Sequence, residues 1–212
     1  MAVLAIVHDD EQGDERARSR TVSLRLDGTA WLRVEPELLA ELGLHEGDDL
    51  DETRAAAAEE AVARTRARLF VVRSLAARAQ SLAEMERKLA ARGVPARVAD
   101  EAIAEAAAHG YLDDAELAGQ LARGMRSRGY GRRRAEQTLR ARGIGADDAA
   151  AALRESYGSD DEHALARVAL RRRALSPDAA GRRKAVAFLV RRGFSTGAAW
   201  RAVKDELADR GA

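Results

Sequence analysis

The 212-residue chain contains no cysteine. That excludes a disulfide framework and every thiolate metal site. Its four histidines, His8, His45, His109 and His163, are scattered, with no pair at i, i+4 to grip a metal. No apolar run approaches the roughly 20 residues that span a bilayer. The run from Met1 to Val7 lacks a basic leader and is followed by acids, which does not describe a secretory signal. A soluble cytoplasmic protein is expected.

Catalytic constellations are missing as well. The glycine-bearing stretch from Gly124 to Gly131 has neither the strand-to-helix setting nor the Lys-Ser/Thr of a phosphate-binding loop. Asp113-Asp114 could be a carboxylate pair for metal or acid–base work. Glu116 three residues after Asp113 favours a helix cap instead. His109, just before Gly110, reads as a helix-end residue, and Tyr130 between two glycines could either pack or stack on a partner. The chain is expected to be no enzyme and to need no cofactor and no metal.

What is present is repetition. Leu89-Ala90-Ala91-Arg92-Gly93-Val94 returns as Leu139-Arg140-Ala141-Arg142-Gly143-Ile144 and again as Leu189-Val190-Arg191-Arg192-Gly193-Phe194, at a constant spacing of fifty residues. Each copy gives a buried-face leucine, a cation in the last helical turn, a glycine to end the helix and an apolar residue beyond it. Ser81, Gly131 and Gly181 share that register, as do Ile103, Leu153 and Val203. Three tandem three-helix repeats follow from this, and they should form an elongated, curved body because each unit mainly touches its neighbours.

Along the chain, residues 1–20 are expected to be disordered, since 8–20 are rich in Asp, Glu, Arg and Gly without periodicity. Residues 21–53 predict a β-hairpin and a short helix. Val22, Leu24 and Leu26 alternate with polar residues, Asp27-Gly28 turns, and Ala30, Leu32 and Val34 alternate again. Pro36 suits a first helical turn.

The first repeat, 54–110, should run a helix over 57–79 with Leu69, Val72 and Leu75 at core spacing. Ser81-Leu82-Ala83-Glu84 then reads as a capping box. Its second helix should bury Leu82, Met85 and Leu89, and its third Val98, Ala102 and Ile103. The second repeat, 111–158, opens on Asp113 and Glu116 with Tyr111 and Leu112 as apolar anchors. Leu117, Leu121, Met125, Ala135, Leu139, Ala149, Ala152 and Leu153 face its core. The third, 159–212, should bury Leu165, Val168, Leu175, Ala185, Phe188, Leu189, Ala199, Val203 and Leu207, with Ser176-Pro177 starting its second helix.

The net charge is only +1, but a third of the residues are charged and their signs segregate. Carboxylates outnumber cations by more than two to one up to Glu60. Between 121 and 144, Arg123, Arg126, Arg128, Arg132, Arg133, Arg134, Arg140 and Arg142 face Glu136 alone. A second cluster, Arg171, Arg172, Arg173, Arg182, Arg183, Lys184, Arg191 and Arg192, is opposed nearby by Asp178 alone. Guanidinium runs without interleaved acids suit phosphate or an acidic protein surface. The candidate partner-binding residues are therefore Arg126, Arg128, Arg132, Arg133, Arg134, Arg171, Arg172, Arg173, Arg182, Arg183 and Lys184. Arg92, Arg142 and Arg192 instead suit helix-end electrostatics.

These motifs resemble the RecX family of bacterial recombination regulators. Ser81 through Leu89 with Arg92-Gly93 is similar to the family's Ser-x-x-Glu-Leu/Met-x-x-Lys-Leu…Gly pattern. Gly110-Tyr111-Leu112-Asp113-Asp114 is similar to its second signature, and Gly129 to Gly143 to its third. The resemblance covers about 60–195, with departures at Leu117 or its neighbours, where an aromatic is usual, and at Ala135, where a larger aliphatic is common. It marks Ser81, Glu84, Leu89, Gly93, Gly110, Tyr111, Leu112, Asp113, Asp114, Leu139, Gly143, Leu189 and Gly193 as the structural signature.

The resemblance implies a non-enzymatic, mostly all-α modulator of the RecA recombinase, without cofactor. Such a protein binds the groove of the RecA–single-stranded DNA filament and inhibits ATP hydrolysis, strand exchange and co-protease action, which would connect it to the SOS response. A monomer that contacts RecA, and single- or double-stranded DNA besides, is the expectation. Two readings compete with it: a nucleic-acid-binding transcription regulator and a helical interaction scaffold. The acidic 21–50 module opposes phosphate approach in the first of these.

Overall fold

The computed structural model describes residues 1–8, 21–158, 161–171 and 173–211. The chain is mostly helical, with a small antiparallel sheet at its N-terminal end. Strands β1 (Ala2–His8), β2 (Val22–Leu26), β3 (Thr29–Val34) and β4 (Asp49–Leu50) are joined by the short helix α1 (Pro36–Glu41). Among the described residues nine helices follow. They are α2 (Glu52–Ala77), α3 (Leu82–Ala90), α4 (Ala96–Ala108), α5 (Asp114–Ser127), α6 (Arg132–Ala141), α7 (Ala146–Tyr157), α8 (Glu162–Leu170), α9 (Ala179–Arg191) and α10 (Thr196–Gly211). Contacts divide the chain into two compact units, Met1–Ser74 with Leu89–Ala104, and Leu75–Lys88 with Glu105–Ala212.

In the first unit the expected hairpin forms. Val22 pairs with Val34 and Leu24 with Leu32, and the turn places Asp27 and Gly28 at φ 48° and 76°. Two positive φ values in a two-residue turn match the twist of the flanking strands. The sheet is larger than a hairpin, because β1 adds beside β2 and β4 beside β1, in the order β3-β2-β1-β4. Expected disorder over 1–20 therefore fails for Ala2–His8, while 9–20 lie outside the described residues. The run from Ala2 to Val7 is apolar at every position, so it shows no polar alternation by which a strand is recognised. Leu4, Leu24, Val34, Leu38, Leu44 and Leu50 close over Ala58 and Val62 of α2.

Helix α2 starts earlier than expected and buries Ala58, Val62, Ala67 and Val71, not the anticipated stripe. Leu69 and Val72 are exposed and Leu75 is half-buried. Apolar residues occur all around this helix, so periodicity offers competing stripes, and tertiary packing selects one. In α4 the expected Val98, Ala102 and Ile103 are buried.

The second unit contains two complete three-helix sets. The α5–α7 core unites Leu117, Met125, Ala135, Leu139, Ala149, Ala152 and Leu153 as expected, with Leu121 packed against them. In the α8–α10 core, α8 turns Ala166 and Leu170 inward and leaves Val168 exposed. Its stripe is shifted from the expected one, and Leu175 lies beyond the helix end, half-buried against the same core. Helix α9 starts after Pro177, capped by Asp178 and not by Ser176: the carboxylate accepts the Gly181 N–H at 2.7 Å. Leu112 is buried, while Tyr111 is exposed and stacks on His109.

The recurring hexad closes its helix the same way each time. The Gly143 N–H donates to Arg140 O at 2.9 Å and the Ile144 N–H to Leu139 O at 3.1 Å, and Gly93-Val94 and Gly193-Phe194 repeat the pair. This six-to-one, five-to-two pattern satisfies the orphan carbonyls of a helix end.

Candidate partner-binding surface

The capping box at Ser81 is reciprocal. Ser81 Oγ accepts the Glu84 N–H at 3.1 Å, and Glu84 Oε2 accepts the Ser81 N–H at 3.2 Å. The two aspartates that resemble a catalytic pair cap two different helices. Asp113 Oδ1 accepts the Glu116 N–H at 2.8 Å, and Asp114 Oδ1 accepts the Leu82 N–H at 3.0 Å. Burial raises the Asp114 carboxyl above its ordinary value, aided by the charges of Asp148, Asp113 and Glu84 and opposed by the Leu82 N–H. Tyr130 packs against the α5–α7 core, and its carbonyl accepts the Tyr157 hydroxyl at 3.1 Å.

Arg142 and Arg192 do more than offset their own helix dipoles. Each reaches back to the preceding repeat. The Ser81 hydroxyl donates to Arg142 O, and Arg142 Nη2 donates to Ala79 O at 2.9 Å while Nε pairs with Glu84 at 2.8 Å. Fifty residues on, the Gly131 N–H donates to Arg192 O at 2.8 Å. Arg192 Nη1 donates to Arg128 O at 2.7 Å and Gly129 O at 3.2 Å, with the guanidinium over the Tyr130 and Phe188 rings. Both arginines span 63 residues to the matching carbonyl, so one joint is used twice. Arg92, in the first copy, lies over the Phe70 ring at 3.8 Å.

The first joint depends on pH. Burial alone would raise the Glu84 carboxyl, but hydrogen bonds from Arg78, the Ser81 N–H and Arg142 outweigh it and hold Glu84 below its ordinary 4.5. A depressed carboxylate stabilises the fold above its unfolded pKa, and that stabilisation is lost as pH falls through the folded one. Glu84→Gln should therefore cost about 1 kcal/mol at neutral pH. The gap to wild type should narrow as pH drops below 4.5. Urea unfolding of both proteins across that range checks it, and a gap independent of pH would contradict the assigned role.

The candidate arginines lie outside these joints or on their rims. Arg126, Arg128, Arg132, Arg133 and Arg134 are exposed at the end of α5 and the start of α6. Arg128 Nε folds back on Gly124 O at 2.8 Å, and Arg132 Nη1 approaches Leu153 O at 3.4 Å. Arg171 and Arg173 are exposed after α8, with Arg173 over the Phe188 ring at 4.1 Å, and Arg182, Arg183 and Lys184 are exposed on the first turns of α9. Arg172 lies outside the described residues. Among the described residues, Arg133, Arg134, Arg182 and Arg183 make no ion pair.

The α6 and α9 clusters are not one patch. The backbone of Arg134 meets Gly193 at the far end of α9, so about ten residues of helix, roughly 15 Å, separate it from Arg182–Lys184. A further group was not anticipated: Trp200, Arg201 and Lys204 stand exposed on α10 beside Arg182. Its signal was present, since Trp200 lies one residue off the Ala199–Val203 core stripe and so had to face outward.

The paired sets of three helices, locked by one repeated arginine joint, define a tandem helical-repeat protein. No helix among the described residues is long and apolar enough to cross a membrane, and no group of His, Asp and Glu there could hold a metal. Two family profiles match: RecX, first three-helix domain, over residues 67–105, and RecX, second three-helix domain, over 113–153. The regulatory protein RecX of Xanthomonas campestris pv. campestris is 33% identical over 136 residues, 64% of this chain and 84% of the relative. That of Mycobacterium ulcerans is 35% identical over 147 residues, 67% of this chain and 85% of the relative. The chain belongs to the RecX family of regulatory proteins. A crystal structure of a regulatory protein RecX superposes with a TM-score of 0.60 at 22% identity, covering 97% of this chain and all of that one. RecX from Lactobacillus salivarius gives 0.57 at 17% identity, covering 69% of this chain and 97% of that chain.

Proposed function

We propose that this chain regulates homologous recombination and DNA repair without catalysis of its own, by binding in the groove of the RecA–single-stranded DNA filament. There it inhibits RecA ATP hydrolysis, strand exchange and co-protease activity, acting as a soluble cytoplasmic monomer. Family membership supports this reading, together with the observation that carries it: exposed arginines without ion pairs at the same fifty-residue register of successive repeats. Arg132, Arg133 and Arg134 begin α6, and Arg182, Arg183 and Lys184, fifty residues on, stand one turn inside α9. Cations at the start of α6 oppose the helix dipole and form no ion pair there, so a partner is their better explanation.

RecA filaments preassembled on single-stranded DNA should carry the protein down on sedimentation, with little pelleting when RecA is omitted. Recovery in the supernatant at micromolar filament would overturn the proposal. High-affinity retention on one duplex sequence without RecA would point to a transcription regulator instead.

A further inference from the structure

The third repeat presents an aromatic ring and three cations to one groove. Between α9 and α10 lies a depression of about 330 Å3 lined by Arg182, Trp200, Arg201, Val203, Lys204 and Leu207. Trp200 is 45% exposed although Ala199 beside it is fully buried, so the indole is held at the surface by a well-packed helix. Trp200 and Lys204 stand one turn apart on α10, their Cβ atoms about 6 Å from each other.

The charges of the groove are unopposed. Among the described residues Arg182, Arg201 and Lys204 form no ion pair. The carboxylates of α10 are engaged elsewhere: Asp205 with His163 at 2.9 Å, Glu206 with Arg167 and Arg210, and Asp209 with Arg167. An anionic ligand thus meets three free cations around an apolar floor of Val203 and Leu207, with a flat ring at its edge.

We propose that this groove binds single-stranded nucleic acid, with Trp200 stacking on a base and Arg182, Arg201 and Lys204 contacting the flanking phosphates. An exposed ring among cations is the pairing that sequence-tolerant single-strand sites use, because every base has a π-face and every linkage a charge. Duplex bases are stacked away and offer the ring no free face. An acidic peptide would satisfy the cations but leave the indole unused. The proposal rests on the filament reading only for the source of the strand.

The test uses the full chain without RecA. In a Trp31→Phe background Trp200 is the remaining tryptophan, and its emission reports on the groove. Thymidine oligonucleotides of about 12 residues should quench it. Anisotropy of a labelled oligonucleotide should show affinity about tenfold weaker for Trp200→Leu, with helicity retained. The exposed triple change Arg182→Ala, Arg201→Ala, Lys204→Ala keeps the ring and should flatten the log K against log salt slope by about 2. Absence of quenching with unchanged affinity in both variants would overturn the proposal. Equal quenching by polyglutamate would also overturn it and assign the groove to an acidic protein segment. Because no RecA is present, failure here leaves the filament proposal standing, and failure of filament binding leaves this site standing.

Discussion

Gly193→Ala is expected to destabilise the protein by about 3 kcal/mol, against about 1 kcal/mol for Gly110→Ala. Both glycines follow helix ends in left-handed conformation, at φ +91° and +71°, and both lie in the second compact unit. An alanine at either pays the backbone cost. At Gly110 the new methyl would find nothing within 4 Å, whereas at Gly193 it would lie 2.4 Å from the backbone nitrogen of Arg134. Backbone cannot rotate aside as a side chain does, so relief requires the second and third repeats to part. That would stretch the Gly131 N–H to Arg192 O bond, 2.8 Å in the native protein. Urea unfolding followed by circular dichroism measures both variants. Equal losses would mean that Gly193 serves its own helix end and not the joint.

Reversing Arg132, Arg133 and Arg134 together to Glu is expected to weaken inhibition of RecA by tenfold or more while leaving helicity intact. All three side chains are exposed, and α6 buries Ala135 and Leu139 in their place. Each lost charge-assisted contact costs about 1 kcal/mol, and reversal adds repulsion to loss. The change of Arg182, Arg183 and Lys184 to Glu tests the second cluster. Separated by roughly 15 Å of α9, the two sets should act additively if both face the same partner. Titration of strand exchange by wild type, each cluster variant and the two combined gives the answer. Unchanged inhibition by the α6 variant would remove that cluster from the binding face.

The features most legible in the sequence were those fixed by local chemistry. The Leu-x-x-Arg-Gly ends, the Ser81–Glu84 box and the Asp27-Gly28 turn each involve a few adjacent residues, and each has the geometry its chemistry demands. Strand β1 was hidden because both its faces are apolar, and the buried side of α2 because Leu69, Val72 and Val71 offered rival stripes. Asp178 replaced Ser176 as the cap of α9 because both residues are competent and the three-residue offset to Gly181 decides. The joint contacts could not be read locally. Arg142 and Arg192 occupy an ordinary helix-end position, and their partners stand 63 residues away. Only the fifty-residue register hints that neighbouring copies meet where Ser81 and Gly131 align.

The joints give the repeated hexad a structural role. Arg142 and Arg192 spend their donors on backbone carbonyls and Glu84. Arg133, Arg134, Arg182 and Arg183, which form no ion pair among the described residues, are the arginines we propose to meet a partner.

The most direct test is ATP hydrolysis by RecA on single-stranded DNA, titrated with the purified protein. Progressive inhibition is expected at ratios well below one protein per RecA, relieved in the Arg132–Arg134 reversal. Undiminished hydrolysis at stoichiometric protein would contradict it.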